Sequence, residues 1–389
     1  MKRSAAIGMG VVMGGIVAAG TISPGERDRS GADLIADAGA EAADMAWDLP
    51  NVAHDRVEFW VDFLTGRNEE YTRLWLERST RYEPLIRREL RARGMPQDLF
   101  YFAMIESGFS NRAHSRAGAA GMWQFISETG QRYGLEVNAH VDERRDPVAS
   151  THAALDYLTD MHGDFGSWYL AAAGYNSGHN RIRRILNERF GGRGGSEETF
   201  WLIADELPQE TRDYVPLMIA AARIGKDPER YGFTDLRYAA PLSYEEVIVP
   251  GGVSLAAVAD LAGVEFEDVD ELNAHFVLDE TPANAQEVAV RLPAGSADAF
   301  RAGVARIAAG RAGALASTAA ALAKGAGEEG VLASADGAEG WTTYAVRSGD
   351  TLWDIAKRYR VGVSDLREWN SLRTSRIKPG QELRVPAGA

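Results

Sequence analysis

Between Val57 and Ile224 apolar residues recur at three- and four-residue spacing, and no stretch there alternates as a strand does. Val57, Trp60, Val61 and Leu64, then Leu74, Leu85, Ile86 and Leu90, each mark an amphipathic stripe, with Arg and Glu on the other faces. The arginines from Arg78 to Arg93 interleave with Glu77, Glu83 and Glu89, the pattern of a solvated helix surface and not of an anion site. "VASTHAALDYLTDMH", "SWYLAAAGYN" and "RDYVPLMIAAARI" continue the helical spacing. The spacing therefore predicts one all-α domain over residues 51–240. With 389 residues, 45% of them hydrophobic, the chain has material for that core and for further domains.

Beyond Pro241 the texture changes. "EEVIVPGG" and "EVAVRLPAG" read as short strands flanking two short helical patterns, and a similar unit closes the chain. Gly252, Leu255, Val258, Ala259 and Asn273 align with Gly349, Leu352, Ile355, Ala356 and Asn370 at one constant offset, and "VRLP" at Val290 matches "LRVP" at Leu383 after a short insertion in the first copy. This is a divergent internal repeat, over residues 241–300 and 341–389. Residues 301–340 between the copies are Ala/Gly-rich, most of all from Ala309 onward, and read as a linker: coil, a fragment of helix, or both. As coil, about 30 residues reach on the order of 30 Å, which makes the last module a tethered one.

At the other end, Lys2 and Arg3 precede an apolar stretch from Ala5 to Ala19 that ends in small residues. Residues 1–19 read as a secretory signal cleaved after Ala19, and residues 20–50, rich in Ala, Asp and Gly, as a flexible spacer. The other reading, an uncleaved anchor, has fewer than the roughly 20 apolar residues of a spanning helix. The expected location is the periplasm or cell envelope. There are no cysteines, which removes disulfides, thiolate metal sites, a cysteine nucleophile and a lipid-bearing N-terminal cysteine. Against 56 acidic residues stand 42 basic ones, for a net charge of -14, and no Lys/Arg block is long enough to grip a phosphate backbone, so nucleic acid is not an expected partner.

The chemistry points to "MIESGFSNRAHSRAGAAGMWQF", Met104 to Phe125, which holds a single acid. Leu99, Phe102, Ala103 and Glu106 share one helical face, and Phe100, Met104 and Ile105 cover much of the rest, so Glu106 points into apolar surroundings. Desolvation raises a carboxylic acid's pKa and keeps it protonated near neutrality, the profile of a general acid. The segment alone fits equally a structural Glu neutralised by an arginine or by backbone amides. Downstream, Gly118 to Gly121 permit close backbone approach, and Met122 to Ile126 offer apolar surface with one amide, as a sugar ring requires. No carboxylate lies between Glu106 and Glu128, although Asp142, Asp146, Asp160 and Asp164 are candidates to fold into the site. The seven histidines show no metal-ligand pairing; His114, His152 and His162 read as surface or packing residues, and no metal or other cofactor is expected.

In this order and spacing, "ESGF" from Glu106, Ser115, "GAAGMWQF" from Gly118, "DERRDP" from Asp142, "AAGYNSG" from Ala172 and "ETRDYVP" from Glu210 resemble the motifs of the family 1 lytic transglycosylases. The last unit, "YAVRSGDTLWDIAKRYRVGVSDLREWNSLRTSRIKPGQELRVP", resembles a LysM peptidoglycan-binding module. The resemblance implies a mainly α chain: a lysozyme-like helical catalytic domain, a degenerate LysM-like unit and a C-terminal βααβ LysM domain. Glu106 would be the sole catalytic acid and base. Ser115 and Gln124 would hold the N-acetyl and neighbouring groups, Met122 and Ile126 would line the cleft, Tyr175 and Asn176 would contact the sugar, and Tyr214 would orient Glu106. In the LysM module, Gly349, Asp350, Thr351, Ile377 and Lys378 lie in the loops that grip N-acetylglucosamine, whereas the first copy lacks the Lys-Pro-Gly turn and reads as structural.

Glycosidases with two carboxylates use the second as nucleophile or water-activating base. The resemblance supplies another route: the β-1,4 bond between N-acetylmuramic acid and N-acetylglucosamine of a peptidoglycan strand is cleaved without water, with the substrate's own acetamido oxygen and C6 hydroxyl completing the chemistry as a 1,6-anhydro end. A goose-type muramidase, hydrolytic on the same fold, and a silent wall-binding scaffold are the alternatives; an intact Glu106, Gln124, Tyr175 and Asn176 argue against the scaffold.

Overall fold

A computed structural model describes residues 47–309, 341–346 and, in the C-terminal unit, 355, 359, 366, 369, 370, 372, 378 and 380–386. The expected signal, most of the expected spacer, the expected linker from 310 to 340, and Gly349, Asp350, Thr351 and Ile377 lie outside them. The chain divides into two compact units, Met1–Ala312 and Gly313–Ala389.

In the first unit the helices are α1 (Asp55–Thr65), α2 (Glu69–Ala92), α3 (Tyr101–Ser107), α4 (Ser127–Arg132), α5 (Pro147–Phe165), α6 (Trp168–Ser177), α7 (His179–Phe190), α8 (Glu197–Ile203) and α9 (Gln209–Lys226). α1 buries Val57, Trp60, Val61 and Leu64, the stripe read from its spacing. In α2 the inward position is Trp75; Leu74, counted with the stripe in the sequence, is exposed. The ordered chain also begins before Asn51. Asp48 and Leu49 donate their backbone N–H groups to Asp98 at 3.0 and 3.1 Å, Asp98 returns its own to Asp48 at 2.9 Å, and Leu49 is buried, so the end of the spacer packs on the helical core.

α9 packs on α1, α3 and α6, while α5 packs on α2 and α6. This leaves α3 in the middle. A 3-10 turn, Gln97–Phe100, leads into it, and all seven of its residues are buried. It stops at Gly108, where φ is +60° and a Cβ would fall 2.0 Å from the Trp75 ring; only glycine fits that turn.

The LysM-like unit pairs β1 (Tyr244–Val249) with β2 (Val288–Pro293) antiparallel, from Tyr244 opposite Pro293 to Val249 opposite Val288. α10 (Leu255–Ala262) and α11 (Phe266–Leu272) lie between the strands in sequence, and a helix, α12, runs from 297 to the last described residue at 309. The unit docks on the helical domain. Val141 shares its apolar core with Val247, Val258 and Val290, and the backbone of His275 and Val277 bonds to Asp142 and His140 at 2.8 and 2.9 Å. Arg291 reaches the carboxylate of Asp146 at 2.6 Å, beside His275, whose imidazole burial pushes down to about 4 and keeps neutral.

In the second unit β3 (Trp341–Ala345) pairs with β4 (Glu382–Pro386) antiparallel. The repeat recurs in its hydrogen bonds. Asn273 donates to the carbonyls of Val269 and Arg291, both at 2.7 Å, and accepts from the N–H of Arg291 at 2.9 Å. Asn370 donates to Leu366 and Arg384, both at 2.8 Å, and accepts from Arg384 at 2.5 Å.

Asp146 also accepts from the N–H groups of Val148 and Ala149, so it caps α5 while paired with Arg291. Removing one partner of a nearly buried pair strands the other charge. Arg291→Met is expected to lower unfolding free energy by about 3 kcal/mol in urea titration at neutral pH; a loss below about 1 kcal/mol would show that the docking does not need this pair.

Candidate active site

Glu106 lies on the last turn of α3 and is fully buried. Among the described residues no arginine neutralises it: one carboxyl oxygen accepts the hydroxyl hydrogen bond of Tyr214, from α9, and the other has no hydrogen-bond partner there. Burial pushes the Glu106 carboxyl up to about 8; the Tyr214 hydrogen bond pulls it back and the charge of Glu210 adds to the rise. Tyr214 and Tyr175 are themselves held well above the usual phenol range, first by burial and then by the negative charge on Glu106. The ring of Phe102 meets those of Tyr175 and Tyr214 edge-on, at 5.5 and 5.4 Å, so it packs between the two phenols.

The loop between α3 and α4 carries Ser115, Met122, Gln124 and Ile126. Gln124 is buried with φ +48°, a costly backbone position for a side chain of this size. Its amide donates to the carbonyls of Gly121 and Ala113 at 2.8 and 3.3 Å, and this leaves its carbonyl oxygen buried without a partner. The Ser115 hydroxyl accepts the N–H of Ala119 at 3.0 Å and keeps its own proton to give. Met122 is buried and Ile126 half-buried against the core. On α6, Tyr175 commits its proton to the carbonyl of Trp123 at 2.6 Å, which ties that helix to the loop. Asn176 accepts from Thr211 at 2.7 Å and donates to Glu210 at 3.3 Å. In the second unit only Lys378 of the expected glycan-gripping residues is described; its N–H donates to the side chain of Gln381 at 3.0 Å.

The acids that were candidates from the sequence are engaged elsewhere. Asp142 is held by Arg144, Asp146 by Arg291, and Asp164 by Arg183 at 2.9 Å, while Asp160 accepts from Tyr133 at 2.9 Å. Glu210, one helical turn before Tyr214 in "ETRDYVP", is the carboxylate whose charge reaches Glu106.

Arg144, in the "DERRDP" segment, has a positioning part that its sequence context does not reveal. Its guanidinium forks onto both oxygens of Asp142, each at 2.8 Å, and donates to the carbonyls of Gly118 and Phe125 at 2.9 and 3.0 Å. It therefore spans the two ends of the segment that presents Met122 and Gln124. Its own carbonyl lies where a Cβ on Gly121 would fall, at 1.6 Å, so this close approach needs a glycine. Of the two arginines in "DERRDP", Arg144 is buried and makes these bonds, whereas Arg145 is half-buried and lies 3.7 Å from Asp142.

Residues 83–193 match the Transglycosylase SLT domain, 243–309 the Lytic transglycosylase MltD, LysM-like domain, and 344–386 the LysM domain. An SLT-type helical domain followed by two LysM-type units defines the class, the modular lytic transglycosylases. Membrane-bound lytic murein transglycosylase D of Escherichia coli K12 is 37% identical over 324 residues, 83% of this chain and 67% of that protein. The chain belongs to the lytic murein transglycosylase D family. Solved relatives are more distant: lytic transglycosylase Slt of Pseudomonas aeruginosa is 25% identical, over 40% of this chain and 25% of that one, with a TM-score of 0.30. The 70 kDa soluble lytic transglycosylase of Escherichia coli is 21% identical, over 54% of this chain and 32% of that one, with a TM-score of 0.34.

The raised acid carries a stability cost with a defined sign. At pH below 4.5 the folded and unfolded chains both hold the Glu106 proton; as pH rises toward about 8 only the unfolded chain releases it, so stability is lost over that window. Glu106→Gln should thus match the wild type in stability at pH 4 and exceed it by about 3 kcal/mol at pH 7, read by thermal or urea unfolding at both pH values; a gap that does not grow with pH would refute the raised carboxyl. Arg144→Lys, which keeps the charge but not the fork, should raise KM for glycan roughly tenfold with a smaller effect on kcat in steady-state assays.

Proposed function

We propose that the chain cleaves peptidoglycan glycan strands as a lytic transglycosylase with Glu106 as its only acid and base. The observation that carries this is the state of Glu106: fully buried, raised to about 8 by burial, bonded to Tyr214 and to no cation. Such a group is protonated at neutral pH and has a proton to give. It protonates the glycosidic oxygen leaving the muramyl C1, while the acetamido oxygen of the muramyl residue stabilises the cation that develops there. The resulting Glu106 carboxylate accepts the proton of the C6 hydroxyl, and the C6 oxygen closes onto C1. The product is a 1,6-anhydro end, no water is consumed, and Glu106 returns to its acid form.

Positioning follows from the donors and acceptors that the site leaves open. The unpartnered carbonyl oxygen of Gln124 fits an acetamido N–H, and the free proton of Ser115 fits an acetamido carbonyl. Met122 and Ile126 supply apolar wall, which keeps water from C1 until the tethered hydroxyl attacks. Tyr175 and Asn176 set the sugar's position from α6, and Tyr214 aims the carboxyl. The C-terminal LysM module, through Gly349, Asp350, Thr351, Ile377 and Lys378, holds the enzyme to N-acetylglucosamine along the strand, and the docked LysM-like unit is structural. The working location is the cell envelope, reached by export.

A hydrolytic variant of this chemistry needs a base for water, and Glu210, bonded to Asn176 at 3.3 Å, is the carboxylate placed to serve it. Digestion of sacculi in heavy-oxygen water decides between the two. The expected muropeptides resist borohydride reduction, weigh one water less than hydrolytic products and carry no heavy oxygen at the new end; Glu106→Gln yields none. Reducible, labelled ends would overturn the transglycosylase reading.

A further inference from the structure

The loop between α3 and α4 is held from outside the helical domain. Arg112, near its start, reaches across to α11 of the LysM-like unit, where its guanidinium lies 2.5 Å from the carboxylate of Asp270 and donates to the Asp270 carbonyl at 3.2 Å. Glu271, next on α11, meets Arg81 of α2 at 3.3 Å, so this short helix is seated on two arginines of the catalytic domain. Asp279 sits beside Asp270. Burial and the charge of Asp270 raise its carboxyl, and Arg112 is the cation that pulls it back. Arg112 therefore answers two carboxylates of the one unit, although it is itself exposed and lies outside the set of residues assigned to the glycan.

What the pair fixes is the residue that follows Arg112. The carbonyl of Ala113 accepts the backbone N–H of Gly121 at 2.9 Å and the side-chain amide of Gln124 at 3.3 Å. Together with the bond from Gln124 to the Gly121 carbonyl at 2.8 Å, these contacts decide which way the Gln124 amide turns, and so leave its carbonyl oxygen without a partner. The φ of +48° at Gln124 is a conformation that persists only where the surroundings impose it. If the Ala113 carbonyl moved away, the amide would be free to rotate, and its donor and acceptor would exchange places. The far end of the loop is braced by Arg144, fixed in turn by Asp142, whose N–H is bonded to the carbonyl of His275. Asp270 and His275 belong to one short stretch of the LysM-like unit, which thus reaches both ends of the loop.

We propose that Arg112 and Asp270 are positioning residues for the glycan site: through their ion pair the LysM-like unit holds the Ala113 carbonyl in place and so sets the orientation of the Gln124 amide. The assignment rests on the reading of Gln124 as the group that receives the substrate's acetamide. It gives the docked unit a part in substrate binding without any contact with glycan.

The full-length chain is compared with Arg112→Ala and with Asp270→Asn by hydrogen exchange and by digestion of sacculi. Amide exchange over residues 109–125 should quicken roughly fivefold in either variant, the scale of one partly exposed ion pair, while peptides from α3 and α9 are unchanged. KM for sacculi should rise roughly fivefold with kcat within about twofold, and the double variant should be no worse than either single one, because both remove the same pair. The deciding background is Gln124→Ala. There the amide is gone, and adding Asp270→Asn should change KM by less than about twofold. A pair that only steadies the docking would leave its KM effect intact in that background, which would overturn the proposal. Unchanged exchange of the loop in both single variants would overturn it as well. A chain inert toward sacculi would sink the reaction proposed above, and the exchange comparison would still decide whether the pair holds the loop. Arg112 is on the surface, so Arg112→Ala leaves the core intact, and thermal unfolding of the variant verifies this.

Discussion

A fully buried carboxyl that desolvation favours in its neutral form is the constraint around which the first unit is organised. Among the described residues Glu106 has no cation to neutralise it, so everything near it must tolerate an acid that keeps its proton. α3 is buried along its whole length, α9 supplies the one phenol that bonds it, and Phe102 packs between two tyrosines. An arginine in place of Tyr214 would favour the ionised carboxylate, which has no proton to give. On the proposed function, the desolvation that costs stability at neutral pH is the same desolvation that gives Glu106 a proton to donate.

Much of this was legible along the chain, and the parts that were not share a physical reason. Helix periodicity reports which residues face inward, so the all-α domain and the stripe of α1 could be read directly. Burial of Glu106 was legible too, because apolar neighbours leave its helix no wet side. Which group would partner it was not: the segment admitted an arginine as readily as a phenol, and only the likeness of "ETRDYVP" to a family motif pointed to Tyr214. Contacts between distant segments leave no periodic trace. Arg144, Arg291 and the Asp48–Asp98 pair are of that kind.

The strut at Arg144 also explains why a unit without catalytic groups remains attached. Asp142, which fixes the guanidinium, donates its backbone N–H to the carbonyl of His275 in the LysM-like unit, and the carboxylate of Asp146, four residues on, pairs with Arg291. A short chain of polar contacts thus runs from that unit through "DERRDP" to both ends of the Gln124 loop. Loops hold a ligand group in place only as firmly as the groups behind them, and here that support comes from a separate sheet and its helices.

The paired asparagines point to how one repeat came to serve two ends. In each copy the asparagine binds main-chain atoms alone, two carbonyls and one N–H, and joins its helix to the closing strand without asking anything of neighbouring side chains. A scaffold locked through its backbone leaves its outward residues at liberty to drift. One copy has turned its surface toward a helical domain, where Arg291 now answers Asp146, and the other has kept the Lys-Pro-Gly turn. The same clasp makes the module a portable part, suited to being duplicated, repurposed and hung on other chains without learning to fold again.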